Sequence, residues 1–153
     1  MKTLNSDEQF MKLALQEAQK SQEMNEVPVG AIIAINGEVI SKSHNKPISQ
    51  NDPTSHAEIN ALRNATQKVG NYRLTDAILY VTLEPCAMCY GAIVHARISR
   101  LVFGAYDTKT GVCGSSIKLN EQEYFNHTPD ITGGVLKEDC SSILRDFFKE
   151  RRN

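Results

Sequence analysis

His56-Ala57-Glu58 and Pro85-Cys86-Ala87-Met88-Cys89 constrain this chain more than any other feature, because any fold it adopts must bring these two separated segments together. His56, Cys86 and Cys89 offer three metal ligands, and Glu58 is a carboxylate that need not be a fourth. Structural zinc sites close their tetrahedron with four protein ligands, whereas catalytic sites keep three and leave the last position to water. An open metal site with its own proton carrier is suited to hydrolysis. The alternative is a closed structural site completed by His44, His95, His127, Cys113 or Cys140, each of which lacks a partner at ligand spacing.

Spacing says where the metal must sit. Residues two apart on a helix point to nearly opposite faces, so His56 and Glu58 converge only at a helix end. Asp52-Pro53-Thr54-Ser55 reads as a loop ending in N-cap residues, and Ala57, Ile59, Ala61 and Leu62 begin a run of helix formers, which places His56 and Glu58 in the first turn. Cys86 and Cys89 share one helical face, and Pro85 suits the first helical position. Two helix N-termini therefore face one metal. Zinc with two thiolates and a neutral imidazole has no net charge and acidifies its water less than an all-histidine site would. The helix N-termini add partial positive charge that favours thiolates and hydroxide, and Glu58 can take the water proton. The competing reading of Glu58 is a capping box, Ser55-x-x-Glu58, in which it only folds back onto the helix end.

Along the chain, Ser6 with Gln9 predicts the cap of a first helix reaching about Met24, with Phe10, Leu13, Ala14 and Ala18 on one side. Strands at Val29–Ile35 and Glu38–Ser43 flank Asn36-Gly37, the preferred pair for a tight type I′ hairpin turn. The His56 helix runs to about Val69. Ile78–Leu83 is a continuous apolar run, as expected of a strand covered on both faces. The Cys86–Ala96 helix and a Leu101–Phe103 strand follow, so that right-handed crossovers give the sheet a parallel portion. A loop-rich stretch over 104–129 carries a short helix near Asn120–Tyr124, and 131–136 reads as a last strand despite two glycines. Leu136, Cys140, Ile143, Leu144, Phe147 and Phe148 form a final helical stripe, read as core packing. Pro85-Cys86 lies just past the carboxyl end of the 78–83 strand, where open α/β sheets place their sites.

At 153 residues the chain is expected to form a single domain, 1–153, large enough to bury one core without disulfides. The formal charge of −1 argues against a general positive field, so a nucleic-acid partner must meet a local patch. With no apolar stretch long enough for a bilayer and a polar start, the expectation is a cytoplasmic protein with no membrane contact. Cys113 and Cys140 are then free thiols in a reducing compartment.

Beyond the metal ligands, Val27-Pro28-Val29-Gly30-Ala31, Asn45-Lys46-Pro47, Asp52-Pro53-Thr54-Ser55-His56-Ala57-Glu58, Asn71-Tyr72-Arg73-Leu74, Tyr80–Cys89, Val102-Phe103-Gly104-Ala105 and Phe147-Phe148 resemble the bacterial tRNA-specific adenosine deaminases of the cytidine/deoxycytidylate deaminase superfamily. The likeness runs nearly end to end. It implies an α/β architecture, a three-layer α-β-α cytidine-deaminase-like fold with a mixed sheet of about five strands. It also implies hydrolytic conversion of the wobble adenosine to inosine in an arginine-type tRNA anticodon stem-loop. Position by position, His56, Cys86 and Cys89 would hold one Zn2+, and Glu58 would shuttle protons while hydroxide attacks adenine C6 and ammonia leaves. Asn45 would hydrogen-bond the flipped base, Val29 would line its pocket, and the Ala57 backbone N–H would lie near the reacting centre. Asp107 matches a position near the target ribose. Asn126 and His127 match a segment touching the anticodon loop, and Lys149, Arg151 and Arg152 would approach phosphates. The resemblance also implies a homodimer in which each tRNA contacts both chains.

Local readings compete with some of these roles. Asn45 can be a turn residue before Lys46-Pro47, and the terminal basic residues can be an ordinary solvated helix end. Lys46 stands where relatives commonly have arginine and lacks its planar fork. Tyr106 and Cys113 also depart from the family pattern. An anticodon loop presents bases already out of a duplex, so extruding one costs less there. The rival functions are deamination of a free base or nucleotide, such as guanine or cytosine, and a non-catalytic zinc-bearing partner subunit. Glu58 speaks against the second.

Overall fold

A computed structural model describes residues 5–151. Strands β1 (Gly30–Ile35), β2 (Glu38–His44), β3 (Ala77–Leu83), β4 (Arg100–Ala105) and β5 (Asp130–Thr132) form one sheet in the order β2-β1-β3-β4-β5. The hairpin β1–β2 and the pair β1–β3 are antiparallel, whereas β3–β4 and β4–β5 are parallel. Asn36 and Gly37 both take positive φ, 52° and 78°, as a type I′ turn requires.

Helices α1 (Ser6–Glu23), α2 (Ala57–Val69), α3 (Ala87–His95) and α4 (Lys137–Arg151) complete the three layers. Side-chain alternation on the central strands decides which helix covers which face. Ala31, Ile33, Leu79, Val81, Leu101 and Phe103 pack with Ala57, Ala61 and Ala65 of α2 and Tyr90, Ile93 and Val94 of α3. Ile32, Ala34, Tyr80 and Val102 face the other way, onto Met11 and Ala14 of α1 and Cys140 of α4. At about 25 cal/mol per Å² of apolar surface, this two-sided burial is the main force placing the helices. Gly30 allows the closest approach: a Cβ there would sit 1.9 Å from the Ala14 carbonyl oxygen of α1.

Several local expectations need correction. The capping box of α1 is Asn5 with Glu8, not Ser6 with Gln9, because Asn5 has the extended backbone that lets its side chain accept the Glu8 N–H at 2.9 Å. The last strand stops at Thr132 and is interrupted by Gly133-Gly134, the latter at φ 86°, although the Val135 N–H beyond them still bonds the Phe103 carbonyl of β4 at 3.2 Å before α4 begins. The short helix is a single 3-10 turn at Leu119–Glu121, one residue earlier and shorter than expected. The α4 stripe is only partly core: Cys140 and Phe147 are buried, Leu136, Ile143 and Leu144 are half-buried, and Phe148 is 45% exposed. All four cysteines are free thiols. Among the described residues no helix is long and apolar enough to cross a membrane.

Candidate active site

α2 and α3 bring their first residues to the same place, and each begins on a metal-ligand candidate. His56 is the N-cap of α2 and Cys86 the N-cap of α3, both in extended conformation and neither using its side chain to cap. This moves the start of α2 by one residue and that of α3 by two from a start at Pro85. His56 precedes the first turn, which opens with Ala57 and Glu58, and Pro85 precedes the N-cap and is not the first helical residue. The extended backbone lets each N-cap side chain turn in front of its helix, whereas a helical backbone would lay it back along the helix side. His56 Nδ1 lies 3.6 Å from Cys86 Sγ and 3.4 Å from Cys89 Sγ. The three ligand atoms all fall within 4.8 Å of one another, with Cys89 buried and the other two residues half-buried. One imidazole and two thiols converging in this way fit the nitrogen and sulfur preference of zinc, with three ligand candidates among the described residues.

The protons of this cluster are shared. The Cys86 thiol is pushed down to about 4, first by the hydrogen bond from Cys89 and then by His56. Cys89 moves up because it donates to Cys86 and is buried. His56 is raised chiefly by its bond to Cys86, against burial. Glu58 is only 4% exposed, and burial pushes its carboxyl up to about 7. A carboxyl balanced near neutrality can both accept and return a proton.

Ser55 does not form a capping box with Glu58. Its hydroxyl donates to Gln50 Oε1 at 2.6 Å, and its own oxygens accept from Asn60 Nδ2. Glu58 is thereby left facing a cavity of about 250 Å³ beside His56, Cys86, Val29, Asn45 and Asp107. That volume lies below the usual range for drug-sized ligands and suits a single base. Asn45 is buried and donates from Nδ2 to the Val27 carbonyl at 3.2 Å, which fixes the direction of its amide. Ala57, wholly buried, contributes one of the helix-start amides that have no intrahelical acceptor.

The other expected contacts stand apart from the cavity lining. Asn126 is exposed, and His127 is half-buried with Nε2 2.7 Å from the Ile98 carbonyl oxygen, an anchor for its loop. Lys149 is exposed, whereas the Arg151 guanidinium lies 4.0 Å over the Phe147 ring and donates to Asn25. Arg152 lies outside the described residues. Tyr106 packs edge-on against Phe103, and Cys113 is buried.

Three residues that shape the site escaped the sequence reading. Asn60, on α2, donates from Nδ2 to the His44 carbonyl at 3.0 Å as well as to Ser55, tying the segment before Asn45 to the segment before His56. Glu26 is 1% exposed and accepts the backbone N–H groups of Ile48 and Ser49, which holds the loop after Asn45. Glu84 is 2% exposed and lines the cavity. Their one sequence signal is a polar side chain next to apolar neighbours, as in Glu26 before Val27-Pro28-Val29 and Glu84 after the β3 run.

Residues 4–105 match the cytidine and deoxycytidylate deaminase zinc-binding region. The tRNA-specific adenosine deaminase of Haemophilus influenzae is 50% identical over 95% of this chain and 85% of its own length. That of Bacillus subtilis is 44% identical over 97% and 92%. A solved structure from work on A-to-I editing by tRNA:A34 deaminases at the wobble position superposes with a TM-score of 0.87 at 45% identity, covering 89% of this chain and 99% of that one.

Proposed function

Because the chain belongs to the cytidine and deoxycytidylate deaminase family and, within it, to the tRNA-specific adenosine deaminases, we propose that it hydrolyses the wobble adenosine of a tRNA anticodon loop to inosine. The near end-to-end likeness to tRNA-specific adenosine deaminases carries the substrate assignment. The reaction consumes one water and releases ammonia. His56 Nδ1, Cys86 Sγ and Cys89 Sγ are the atoms that would hold zinc, which when bound supplies a Lewis acid with a position open to water.

The remaining chemistry falls to the chain's own groups. The Glu58 carboxylate removes a proton from the attacking water and delivers it to purine N1, so that negative charge does not build up on the ring as C6 is attacked. Glu58, a carboxylate again, then takes the second water proton from the new C6 hydroxyl and passes it to the exocyclic nitrogen, which departs as ammonia while the C6 carbonyl forms. The Asn45 side chain, fixed by its bond to Val27, orients the base, and Val29 packs on it. The Ala57 N–H lies at the positive end of α2 and favours charge that develops near C6. Asp107 borders the cavity where the ribose of an extruded nucleotide would pass. Asn126, His127 and Lys149 lie further out and would meet the rest of the anticodon loop. A cognate tRNA of the arginine type and a cytoplasmic setting belong to the same reading.

The protein also acts as a homodimer in this reading. A mainly apolar groove between α2 and α3, lined by Ile59, Leu62, Tyr72 and Ala92 beside Arg63 and His95, supports a second copy there. Sedimentation at working concentration that gave only monomer would remove the dimer.

The deciding assay measures inosine formation on an arginine-type anticodon stem-loop with wobble adenosine, beside free adenine, adenosine, guanine, cytosine and cytidine, with Glu58→Ala as control. Inosine from the stem-loop alone, absent in the control, is expected. Turnover of a free base with the stem-loop untouched would overturn the substrate.

A further inference from the structure

We propose that Glu84 is a positioning residue: its buried carboxylate organises the 107–115 loop into one wall of the cavity and so sets how tightly the target nucleotide is held, a role that rests on the deaminase reading above. Glu84 follows β3 directly, and its own backbone N–H is fixed to the Ala105 carbonyl at the end of β4, 2.9 Å away. From this rigid point its side chain meets the loop. Oε1 accepts the Asp107 N–H at 3.1 Å and the Ser115 hydroxyl, and Oε2 accepts the N–H groups of Cys113 at 2.9 Å and Ser115 at 3.2 Å. Four donors bring the carboxylate close to its full accepting capacity. Hydrogen bonds to a charged acceptor are roughly twice as strong as neutral ones. Together with burial of Val112 and Cys113 in the core and the Val112 N–H bond to the Pro85 carbonyl, they keep a stretch with no regular strand or helix in one shape.

Gly111 gives independent support. A Cβ at this position would sit 2.5 Å from Glu84 Cδ and 2.5 Å from the Asp107 carbonyl oxygen, so the loop is wrapped against the carboxylate as closely as a backbone permits. The link to the cavity is direct. Asp107 and Thr110 border it together with Glu84, and the Asp107 side chain accepts from the Lys109 N–H, the Thr110 N–H and the Thr110 hydroxyl. The two cavity-facing loop residues are thus bound to each other, and through the Asp107 N–H to Glu84. The zinc ligands are positioned separately, by the N-terminal ends of α2 and α3. Disturbing Glu84 should therefore change substrate affinity before it changes chemistry.

The test is Glu84→Gln in the zinc-loaded protein. Glutamine keeps the size of the side chain but turns one acceptor oxygen into an NH2 donor that faces other donors. On the anticodon stem-loop we expect KM to rise roughly tenfold or more with kcat within about threefold of wild type, the pattern of lost uniform binding. Zinc stays at one per chain, and the amides of Asp107, Cys113 and Ser115 exchange with solvent faster. Gly111→Ala, which pushes on the same contact from the loop side, should reproduce the KM increase and the faster exchange, and it decides the matter if Glu84→Gln does not fold. Unchanged KM and exchange, zinc loss, or a fall in kcat at constant KM would overturn the proposal. Wild type run in parallel separates the two readings: no inosine from wild type removes the substrate assignment, while amide exchange still decides whether Glu84 holds the loop.

Discussion

His56 and Cys86 sit at the starts of helices whose positions are set by the sheet, whereas Asn45 and Asp107 sit on loops held by the side chains of Ser21 and Glu84 reaching in from elsewhere. The cradle inherits its geometry from apolar burial. Ala57, Ala61 and Ala65 of α2 and Tyr90, Ile93 and Val94 of α3 pack on the same sheet face, which delivers the two N-caps to one point. The rim joins that core through Val29, Val112 and Cys113. The rest of its shape comes from Glu26, Asn60 and Glu84, polar side chains that satisfy loop amides and carbonyls. The division suits the chemistry: metal geometry tolerates little displacement, while a wall that recognises an extruded nucleotide must be adjustable over evolutionary change without disturbing the metal.

The sharpest way to break this comparison is to attack the cradle alone. Cys86→Ala should take zinc from one per chain to a small fraction and inosine formation below detection, with zinc content and turnover measured on the same sample. A chelator applied to wild type should do the same, and restored activity on adding zinc back would confirm that the rim survived. Next in size, metal-replete Glu58→Ala should lose at least roughly a hundredfold in kcat with zinc retained. Full turnover in that variant would return Glu58 to a structural role.

Asn60→Ala probes the joint between the two regions, because Asn60 sits on α2 yet holds His44 and Ser55. It should cost about 1–3 kcal/mol of stability by leaving buried partners unsatisfied. Urea denaturation reads the loss, and a severalfold rise in KM with zinc retained would place the damage in the rim. The smallest effect lies far from the cavity. Asp7 forms a two-point pair with Arg100, at 2.8 and 2.7 Å, which joins α1 to β4. That hydrogen bonding holds the Asp7 carboxyl below its ordinary 3.8, against burial. A lowered folded-state value means the contribution is complete above about pH 4 and lost as pH falls through the folded value. Asp7→Asn should therefore cost about 1–2 kcal/mol at pH 7, and the gap from wild type should close as pH falls through the folded-state value, with activity at neutral pH unchanged.

Much of the cradle was legible in the chain because its information is local. A loop, an extended ligand and a helix start are written within a few residues at His56 and again at Cys86, and an error of one or two residues in the caps did not move the ligands out of reach. The same locality made the type I′ turn at Asn36-Gly37 readable. The capping-box reading of Ser55 failed for the opposite reason, since its partners Gln50 and Asn60 are met only when the loop closes. Phe148 shows the limit of periodicity: it continues the α4 stripe, but the stripe is wider than the sheet surface that covers it.

Ligand type, turn residues and apolar period act over short stretches of chain, so the metal chemistry and the alternation of strands and helices follow from the amino-acid order alone. Chain folding alone brings Glu84 under the Asp107 loop, Glu26 to Ile48 and Ser49, and His127 to its anchor at Ile98. The physical reason is that these side chains meet backbone groups remote in sequence. A backbone N–H or C=O carries no residue identity, so nothing in the amino-acid order marks which one a buried carboxylate or imidazole will meet.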